Sequence, residues 1–380
     1  MYHRFETPLT LGVLGGGQLG RMMLPALHQY DLHVRVMDDH GAPMQAHTPG
    51  FCVGDITHYE DVLAFGQECD LVTIEIEKIN LKALHALQEM GKLVRPGLKV
   101  LEIAQDKGLQ KQFFSGHGYP TSPFIWIDAP SRIGVDQLPG VQKLRRGGYD
   151  GRGVKMLKTM ADVDEAFSGP SILEELVPVQ KELSIVVARN GHGDVVTYPL
   201  VEMVFNPERN LLDYLLAPAQ IRPDIAEDAD ALARQMADDL ELEGLVAIEL
   251  FLDTQDRILV NEIAPRLHNS GHHTIEAAVT SQFEQHVRAI LNLPLGGTRL
   301  HQAAAMANLL GHPEKSGTPR YSGFPEALAL EDVHIHLYGK PESRPGRKMG
   351  HLTAMGSSVD EARRKILEAR KAFKIEIDEP

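Results

Sequence analysis

The sequence predicts an α/β chain that passes into mixed α+β structure. Three observations carry the prediction. Strand-like and helix-like segments alternate over the N-terminal quarter, a glycine-rich turn joins the first strand to the first helix, and the second half contains a two-stranded hairpin among amphipathic helices and short strands. The length of 380 residues corresponds to roughly two or three domains at about 150 residues each, enough to bury several cores.

Taken in order, Thr10–Leu14 reads as a buried strand, Gly15–Gly20 as a glycine turn, Arg21–Tyr30 as a helix and His33–Asp38 as a second strand. Asp61–Gly66 reads as helix, Asp70–Glu75 as a third strand and Leu81–Met90 as a third helix. Near-continuous apolar strands alternating with helices indicate a parallel sheet covered on both faces. Arg95-Pro-Gly97 closes that region, because Pro and Gly punctuate regular structure. A helix over Ala104–Ser115 then leads to short strands at Pro123–Ile127 and Val141–Leu144, a glycine loop, an extended Val154–Leu157, and strands at Ser171–Leu176 and Leu183–Ala188. Asp228–Leu240 has the period of an amphipathic helix, and Leu245–Leu252 and Arg257–Ile263 form a hairpin about Asp253-Thr-Gln-Asp256. Gln282–Leu291 is helical and Leu293-Pro-Leu-Gly-Gly297 marks a boundary. The remainder holds short strands and a last helix opened by Ser358-Val-Asp-Glu361, a capping-box pattern.

The composition narrows the function classes. Fifty-two acids against 38 bases give a formal charge of −14, unsuited to long nucleic acid or to an anionic membrane surface. Small anions stay open, since a local basic cluster can sit inside an acidic chain. Cys52 and Cys69 are too few for a disulfide framework or a thiolate zinc site, and both read as buried, reduced thiols. No apolar run is long enough to span a membrane, and the opening MYHRFETPLT lacks the apolar core of a signal peptide. The expectation is a cytoplasmic protein.

Four segments carry chemistry. Gly15-Gly-Gly-Gln-Leu-Gly20 fits G-x-G-x-x-G between strand and helix, with Asp38 and Asp39 ending the next strand. This reads as a dinucleotide site, as a site for another phosphate at a helix N-terminus, or as a tight turn needing positive φ. Lys143 to Gly153 holds four bases, one acid and four glycines, a pattern in which backbone amides close on phosphate oxygens. On the hairpin, pairing Asp253 with Asp256 sets Glu249 opposite Val260, with Glu262 diagonal to it on the same face. Two carboxylates on one face of a Val/Ile/Leu-rich hairpin need a cation, and Mg²⁺ with nucleotide phosphates fits, unless the face is simply wet. Asn261 to His273 crowds Glu, Arg and three His into a strand end and polar loop. His268, His272 and His273 have a spacing that zinc could use, but Pro265 and Gly271 break any shared helical face, and anion handling by Arg266 and His268 is favoured. Finally, Lys340 to Lys348 counts four bases and one acid, held in a loop by proline and glycine, a charge suited to a phosphate monoester or to solvent.

Together the segments GGGQLGRM (15–22), GGYDGRG (147–153), NEIAPRLHNSGH (261–272) and RPGRKMGH (344–351) resemble the ATP-grasp superfamily and, within it, the 5-(carboxyamino)imidazole ribonucleotide synthase family of purine biosynthesis. The resemblance runs from about Leu11 to His351. It implies a three-domain ATP-grasp fold: a Rossmann-like N-terminal domain (1–102), an ATP-grasp domain (103–296) and a small C-terminal domain (297–380). It implies ATP, Mg²⁺ and bicarbonate, carboxylation of aminoimidazole ribonucleotide with release of ADP and phosphate, no nucleic-acid or membrane partner, and a homodimer.

Residue by residue, the resemblance places Lys107 and Lys143 on ATP phosphates, and Gly148, Tyr149, Asp150, Gly151, Arg152, Gly153 and Val154 in a loop covering them. It makes Glu174, Glu175, Leu176 and Val177 the strand edge that reads adenine, Glu182 the ribose acceptor, and Asn261 a neighbour of the nucleotide. Phe205 stands where several relatives carry His and cannot make its hydrogen bond, so that contact is either dispensable here or replaced by a neighbour such as Asn206. Glu249 and Glu262 match the Mg²⁺ carboxylates. Gln18, Leu19, Glu75, Asn269, Ser270, Lys340, Arg347 and Lys348 surround the ribonucleotide, so the 15–20 turn serves substrate rather than NAD. Tyr149, Asp150, Arg152, Arg266 and His268 match the groups that handle bicarbonate and its activated form. Two rivals are a formate-dependent ATP-grasp transformylase, disfavoured by GGYDGRG and HNSGH, and an NAD-dependent oxidoreductase, which leaves 143–154 and the Glu249/Glu262 pair without a role. A non-catalytic nucleotide binder would not need Glu249, Glu262, Arg266 and Lys340 intact.

Overall fold

Apolar strands with buried interiors set the N-terminal architecture. The computed structural model describes residues 9–148, 153–206 and 211–377. Strand β1 (Thr10–Leu14) leads into α1 (Gln18–Gln29), β2 (His33–Asp38), β3 (Gly50–Val53), α2 (Tyr59–Gln67), β4 (Leu71–Ile74), α3 (Leu81–Glu89) and β5 (Leu93–Val94). The five strands are parallel in the order β3-β2-β1-β4-β5. Leu11, Val13, Val36 and Leu71 pack on the α1 side, and Leu14, Met37, Val72 and Ile74 on the α2–α3 side, as expected of a sheet covered on both faces. The strand order reverses between β1 and β4, and ligands of open α/β sheets bind at the carboxyl ends of strands at such a point. Gly15 and Glu75 each follow directly on one of these two strands.

Some boundaries differ from expectation. Asp70–Glu75 is the fourth strand, because the short edge strand Gly50–Val53 lies before it. α1 starts at Gln18, so Gly20 lies inside the helix rather than in the turn. The single helix expected over Ala104–Ser115 is two, α4 (Leu98–Ala104) and α5 (Lys107–Gly116). Asp106 divides them: its carboxylate accepts from Gly108 N at 2.9 Å and caps α5, a preferred N-cap arrangement. Asp106 also grips Arg145, accepting from Nε at 3.0 Å and Nη2 at 2.6 Å.

The middle of the chain builds two sheets. Strands β6 (Phe124–Ile127), β7 (Gly140–Leu144) and β8 (Val154–Leu157), the one-turn helix α6 (Met160–Val163) and β9 (Ser171–Glu175) give a four-stranded antiparallel sheet ordered β6-β9-β7-β8. Then follow β10 (Val179–Arg189), β11 (Val195–Thr197), β12 (Val201–Asn206), β13 (Leu211–Ala217), α7 (Pro223–Asp239), β14 (Gly244–Asp253), β15 (Ile258–Ala264), α8 (Thr274–Ala277) and α9 (Gln282–Ile290). The last part holds β16 (Ala303–Leu310), β17 (Pro319–Ser322), α10 (Phe324–Leu328), β18 (Val333–Leu337), β19 (Lys348–Gly356), α11 (Val359–Ala372) and β20 (Lys374–Ile377). Among the described residues a nine-stranded sheet runs β15-β14-β10-β12-β13-β16-β19-β18, with β11 on β10. It is continuous across residue 297, because β13 pairs with β16. One face, with Leu183, Ile185, Val246, Ile248, Leu250, Val260 and Ile263, shares its core with α7 and with the N-terminal sheet's outer face. The opposite face carries Glu182, Ser184 and Glu249 by strand alternation. Ser358 caps α11 by accepting from Glu361 N at 3.2 Å, but the Glu361 carboxylate returns to Ser357 rather than to Ser358.

His286, on α9, is fully buried against β4, its Nε2 3.0 Å from Thr73 Oγ1. Burial pushes its pKa down to about 4 from 6.5. The folded state therefore binds fewer protons than the unfolded one between those values, and stability falls as pH drops through that window. His286→Gln is expected to remove this loss: from pH 7 to pH 5, urea denaturation should show the wild type losing about 2 kcal/mol relative to the variant.

Candidate active site

At the carboxyl ends of β1 and β4 the glycine turn wraps a carboxylate of the chain itself. Glu75 Oε1 accepts from Leu19 N at 2.9 Å. A Cβ on Gly17 would stand 2.5 Å from the same oxygen, and Gly15 has φ +96, so this turn requires glycine. Burial pushes the Glu75 pKa up to about 7, against the Leu19 amide and nearby Arg266. Asp38 accepts from Gly16 N at 2.6 Å. Both carboxylates thus occupy amides that a dinucleotide pyrophosphate would use, and Asp38 caps the turn instead of presenting itself to a ribose. The Leu19 side chain is buried in the α1 cluster. Gln18 points outward: its Oε1 accepts from Lys340 Nζ at 2.7 Å, and Lys340 also donates to the Lys348 carbonyl at 2.7 Å. Arg347 donates to the Glu342 carbonyl at 2.8 Å, and burial and Arg344 lower its pKa. The glycine turn and the basic tail, distant in sequence, therefore meet.

The second cluster lies between the two antiparallel sheets. Glu249 stands directly opposite Glu262, not diagonal to it, because the β14–β15 ladder shifts register between Glu249 and Leu250. The extra residue, Asn261, is a bulge. In a regular strand Asn261 and Glu262 would point to opposite faces; here Lys143 Nζ donates to Asn261 Oδ1 at 2.8 Å while Lys107 pairs with Glu262. Burial and the Glu262 charge push the Glu249 pKa up to about 8. Burial also opposes the Glu262 charge, but Lys107 outweighs it and holds that carboxyl low. Burial raises the Glu182 pKa to about 7, with Lys143 opposing.

Glu174 differs from the role expected of its side chain. Its carboxylate is buried and pairs with Lys143 at 3.0 Å and Lys111 at 3.6 Å, so only backbone at 174–177 is placed to read a base. Glu175 N donates to the Pro123 carbonyl at 2.9 Å, Leu176 is exposed, and Val177 accepts from Val179 N, all in the strip joining the two sheets. Phe205 packs beside Val201 and Met203 in an apolar cluster, which suits Phe in place of His. The Asn206 side chain lies outside the described residues, as do Tyr149, Asp150, Gly151 and Arg152. Gly148 and Gly153 flank that segment; the Gly153 carbonyl accepts from Leu144 N at 2.8 Å, and Val154 pairs with Lys143.

The loop after β15 completes the cleft. Arg266 pairs with Glu77 at 2.8 Å, tying the loop to the N-terminal sheet. His268 sets Nε2 3.5 Å from Glu249, and its Nδ1 is 2.8 Å from Ser270 Oγ. Ser270 turns inward, 2.8 Å from Ser184 Oγ. Asn269 is likewise turned inward, exchanging two amide hydrogen bonds with Asn308 at 2.9 and 3.0 Å. His272 and His273 are buried, and burial lowers both pKa values. Their rings belong to the interior, where His272 packs on His351 at 4.7 Å between centroids. Among the described residues no group of three or more His, Cys, Asp or Glu could hold a metal ion, so the zinc alternative is not supported. The Glu249/Glu262 pair nonetheless fits Mg²⁺, which needs one or two carboxylates and takes its other ligands from phosphates and water; two half-buried carboxylates face each other, and Lys107 pairs with only one of them. Sequence reading missed Lys111, Glu77, Ser184 and Asn308. Only Lys111 gave a signal, lying one helical turn beyond Lys107.

Comparison with known proteins matches three family descriptions in order: ribonucleotide synthetase preATP-grasp domain over residues 9–105, ATP-grasp domain over 112–283, and phosphoribosylaminoimidazole carboxylase C-terminal domain over 304–365. The N5-carboxyaminoimidazole ribonucleotide synthase of Synechococcus elongatus is 38% identical over 358 residues, covering 90% of this chain and 88% of the relative. That of Bacillus subtilis is 37% identical, with 92% of each covered. Among solved structures, the N5-carboxyaminoimidazole ribonucleotide synthetase of Thermotoga maritima superposes with a TM-score of 0.90 at 40% identity, covering 97% of this chain and 100% of the other. An Aspergillus clavatus N5-carboxyaminoimidazole synthase in complex with ADP and 5-aminoimidazole ribonucleotide has a TM-score of 0.86 at 29% identity, covering 96% and 99%.

The Asn269–Asn308 exchange is testable. Losing one partner of a buried hydrogen-bonded pair costs about 1–3 kcal/mol. Asn269→Ala and Asn308→Ala should each destabilise by that amount in urea denaturation, and the double variant should cost little more than either alone.

Proposed function

The chain belongs to the N5-carboxyaminoimidazole ribonucleotide synthase family, and from that membership and the geometry of the cleft we infer how its residues divide the work. It is an ATP-grasp ligase of purine biosynthesis that carboxylates 5-aminoimidazole ribonucleotide with ATP and bicarbonate, giving ADP and phosphate. The observation that carries the residue assignment is the Glu249/Glu262 pair set between Lys107 and Lys143.

In our reading Lys107, Lys143 and Asn261 take the nucleotide phosphates, with the 148–154 loop over them, Glu182 and the 174–177 backbone on ribose and adenine, and Phe205 as an apolar wall. Glu249 and Glu262 would hold Mg²⁺, which supplies charge neutralisation at the transferring phosphoryl group. A bicarbonate oxygen attacks the γ-phosphorus, the bond to the β-phosphate oxygen breaks, and carboxyphosphate and ADP result. Lys143 and Arg266 are positively charged before the reaction begins, so charge developing on the phosphoryl oxygens meets preset partners. His268 accepts at Nδ1 from Ser270 N, which leaves Nε2 to donate toward the Glu249 carboxylate, 3.5 Å away. The exocyclic amine of the ribonucleotide then attacks the carboxyl carbon, or CO₂ derived from it, phosphate leaves, and the amine loses a proton to give the carbamate. Tyr149, Asp150 and Arg152 are assigned to the bicarbonate step on family resemblance. Gln18, Glu75, Lys340, Arg347 and Lys348 are assigned to the ribonucleotide; Leu19 contributes backbone, and Asn269 and Ser270 shape the wall behind. We further propose three domains, 1–102, 103–296 and 297–380, in accord with the family segments matched. We propose a homodimer in the cytoplasm; no helix among the described residues is long and apolar enough to cross a membrane.

ADP release is expected to require both bicarbonate and aminoimidazole ribonucleotide; release with formate in place of bicarbonate would overturn the assignment. In the same assay Lys340→Ala and Arg347→Ala should each raise the KM for the ribonucleotide about ten-fold or more, the loss of one charge-assisted contact, with a smaller change in the KM for ATP.

A further inference from the structure

α5 carries a second lysine for which the mechanism above has no use. Lys111 lies one turn beyond Lys107 on the same helix face, yet is 1% exposed. Its ammonium donates to Thr121 Oγ1 at 2.6 Å and Ser122 Oγ at 2.8 Å, and lies 3.6 Å from Glu174 Oε2. Ser122 donates to the same carboxylate oxygen at 2.7 Å. The other oxygen, Oε1, meets Lys143 at 3.0 Å. One carboxylate is thus shared by two ammoniums. We propose that Lys111 is a positioning residue for ATP use: by taking half of the Glu174 carboxylate it holds that carboxylate in place and leaves Lys143 with positive charge for the nucleotide phosphates.

The physical reasoning is one of charge balance. Were Glu174 paired with Lys143 alone, the two would neutralise each other, and a phosphate would have to compete with a buried carboxylate for the same ammonium. With Lys111 as a second cation the triad keeps a net positive charge, and Lys143 turns it toward Asn261 and the cleft. The shared carboxylate is accordingly stable as an anion: burial opposes its charge, but Lys143 and Lys111 together outweigh burial and lower the Glu174 pKa. Lys111 bears the cost, its own pKa being pushed down to about 8 by burial. The same helix turn sends Lys107 to Glu262 in the nine-stranded sheet and Lys111 to Glu174 in the four-stranded sheet, so α5 sets both phosphate-facing lysines from one side.

The inference rests on the reading of Lys143 as a phosphate-binding residue. Steady-state kinetics of the full-length enzyme test it. Lys111→Met is expected to raise the KM for ATP about ten-fold with a smaller change in the KM for the ribonucleotide, and Lys111→Met combined with Glu174→Gln is expected to bring the KM for ATP back to within about three-fold of wild type. A structural role alone would not give a second substitution that restores the first. An unchanged KM for ATP in Lys111→Met, or a double variant worse than the single one, would overturn the proposal. If Lys111→Met does not yield soluble protein, Ser122→Ala keeps both charges and removes one hydrogen bond from each; about a three-fold rise in the KM for ATP is expected, and no rise would overturn the proposal. A wild type without saturable ATP dependence would instead sink the reading on which the inference rests.

Discussion

Two carboxylates face each other on adjacent strands, and the rest of the cleft is arranged around that cost. Glu249 and Glu262 sit opposite one another where partial burial makes like charges expensive. The chain answers with cations drawn from other elements. Lys107 comes from the first turn of α5, capped by Asp106, and Lys143 comes from β7 in the other sheet. A cation bound between the carboxylates would complete the balance. The requirement therefore ties together a hairpin, a helix and a second sheet, and defines the slot between the sheets in which a nucleotide can lie.

The same device recurs at the N-terminal sheet. The amides at the start of α1, which would attract a phosphate, are held by Glu75 and Asp38. In both places a carboxylate of the chain meets the donors that an anionic ligand would need. Such a site keeps its buried donors hydrogen-bonded between turnovers. It also explains how a chain of net charge −14 can bind anions: in the cleft Lys107, Lys111 and Lys143 are set inward, and the carboxylates paired with them are part of the site.

Much of this was legible in the sequence, and the failures have physical causes. The parallel sheet, the hairpin and α11 followed from periodicity and capping, and the family resemblance was borne out by the comparisons. The Glu249–Glu262 relation was readable to within one step, but the bulge at Asn261 depends on how the ladder closes, which turn length alone does not fix. The split of α4 from α5 was written in Asp106, a good N-cap, yet a continuous apolar pattern hid it. Strands β11, β12 and β13 were missed although β11 pairs with neighbouring β10 and β12 with β13: Pro199 punctuates the stretch between β11 and β12, and the second partner of β13, β16, is distant in sequence. Asn269 and Ser270 fall within a site motif but turn inward, because a motif records which residues are near a site and not where each side chain points. Lys111 was passed over although it lies one turn beyond Lys107, because a lysine in an amphipathic helix ordinarily reads as solvent-facing.

The central claim is that the Glu249/Glu262 pair is unfavourable alone and favourable with a cation and nucleotide. Thermal unfolding of wild type and Glu249→Gln, each with and without Mg²⁺ and ATP, tests it most directly. The account predicts that Glu249→Gln melts no lower than wild type without ligand, since it removes a group whose charge the ligand-free site disfavours, and loses most of the Mg²⁺-ATP increase in Tm. A variant that melts well below wild type without ligand, yet keeps the full Mg²⁺-ATP increase, would contradict it.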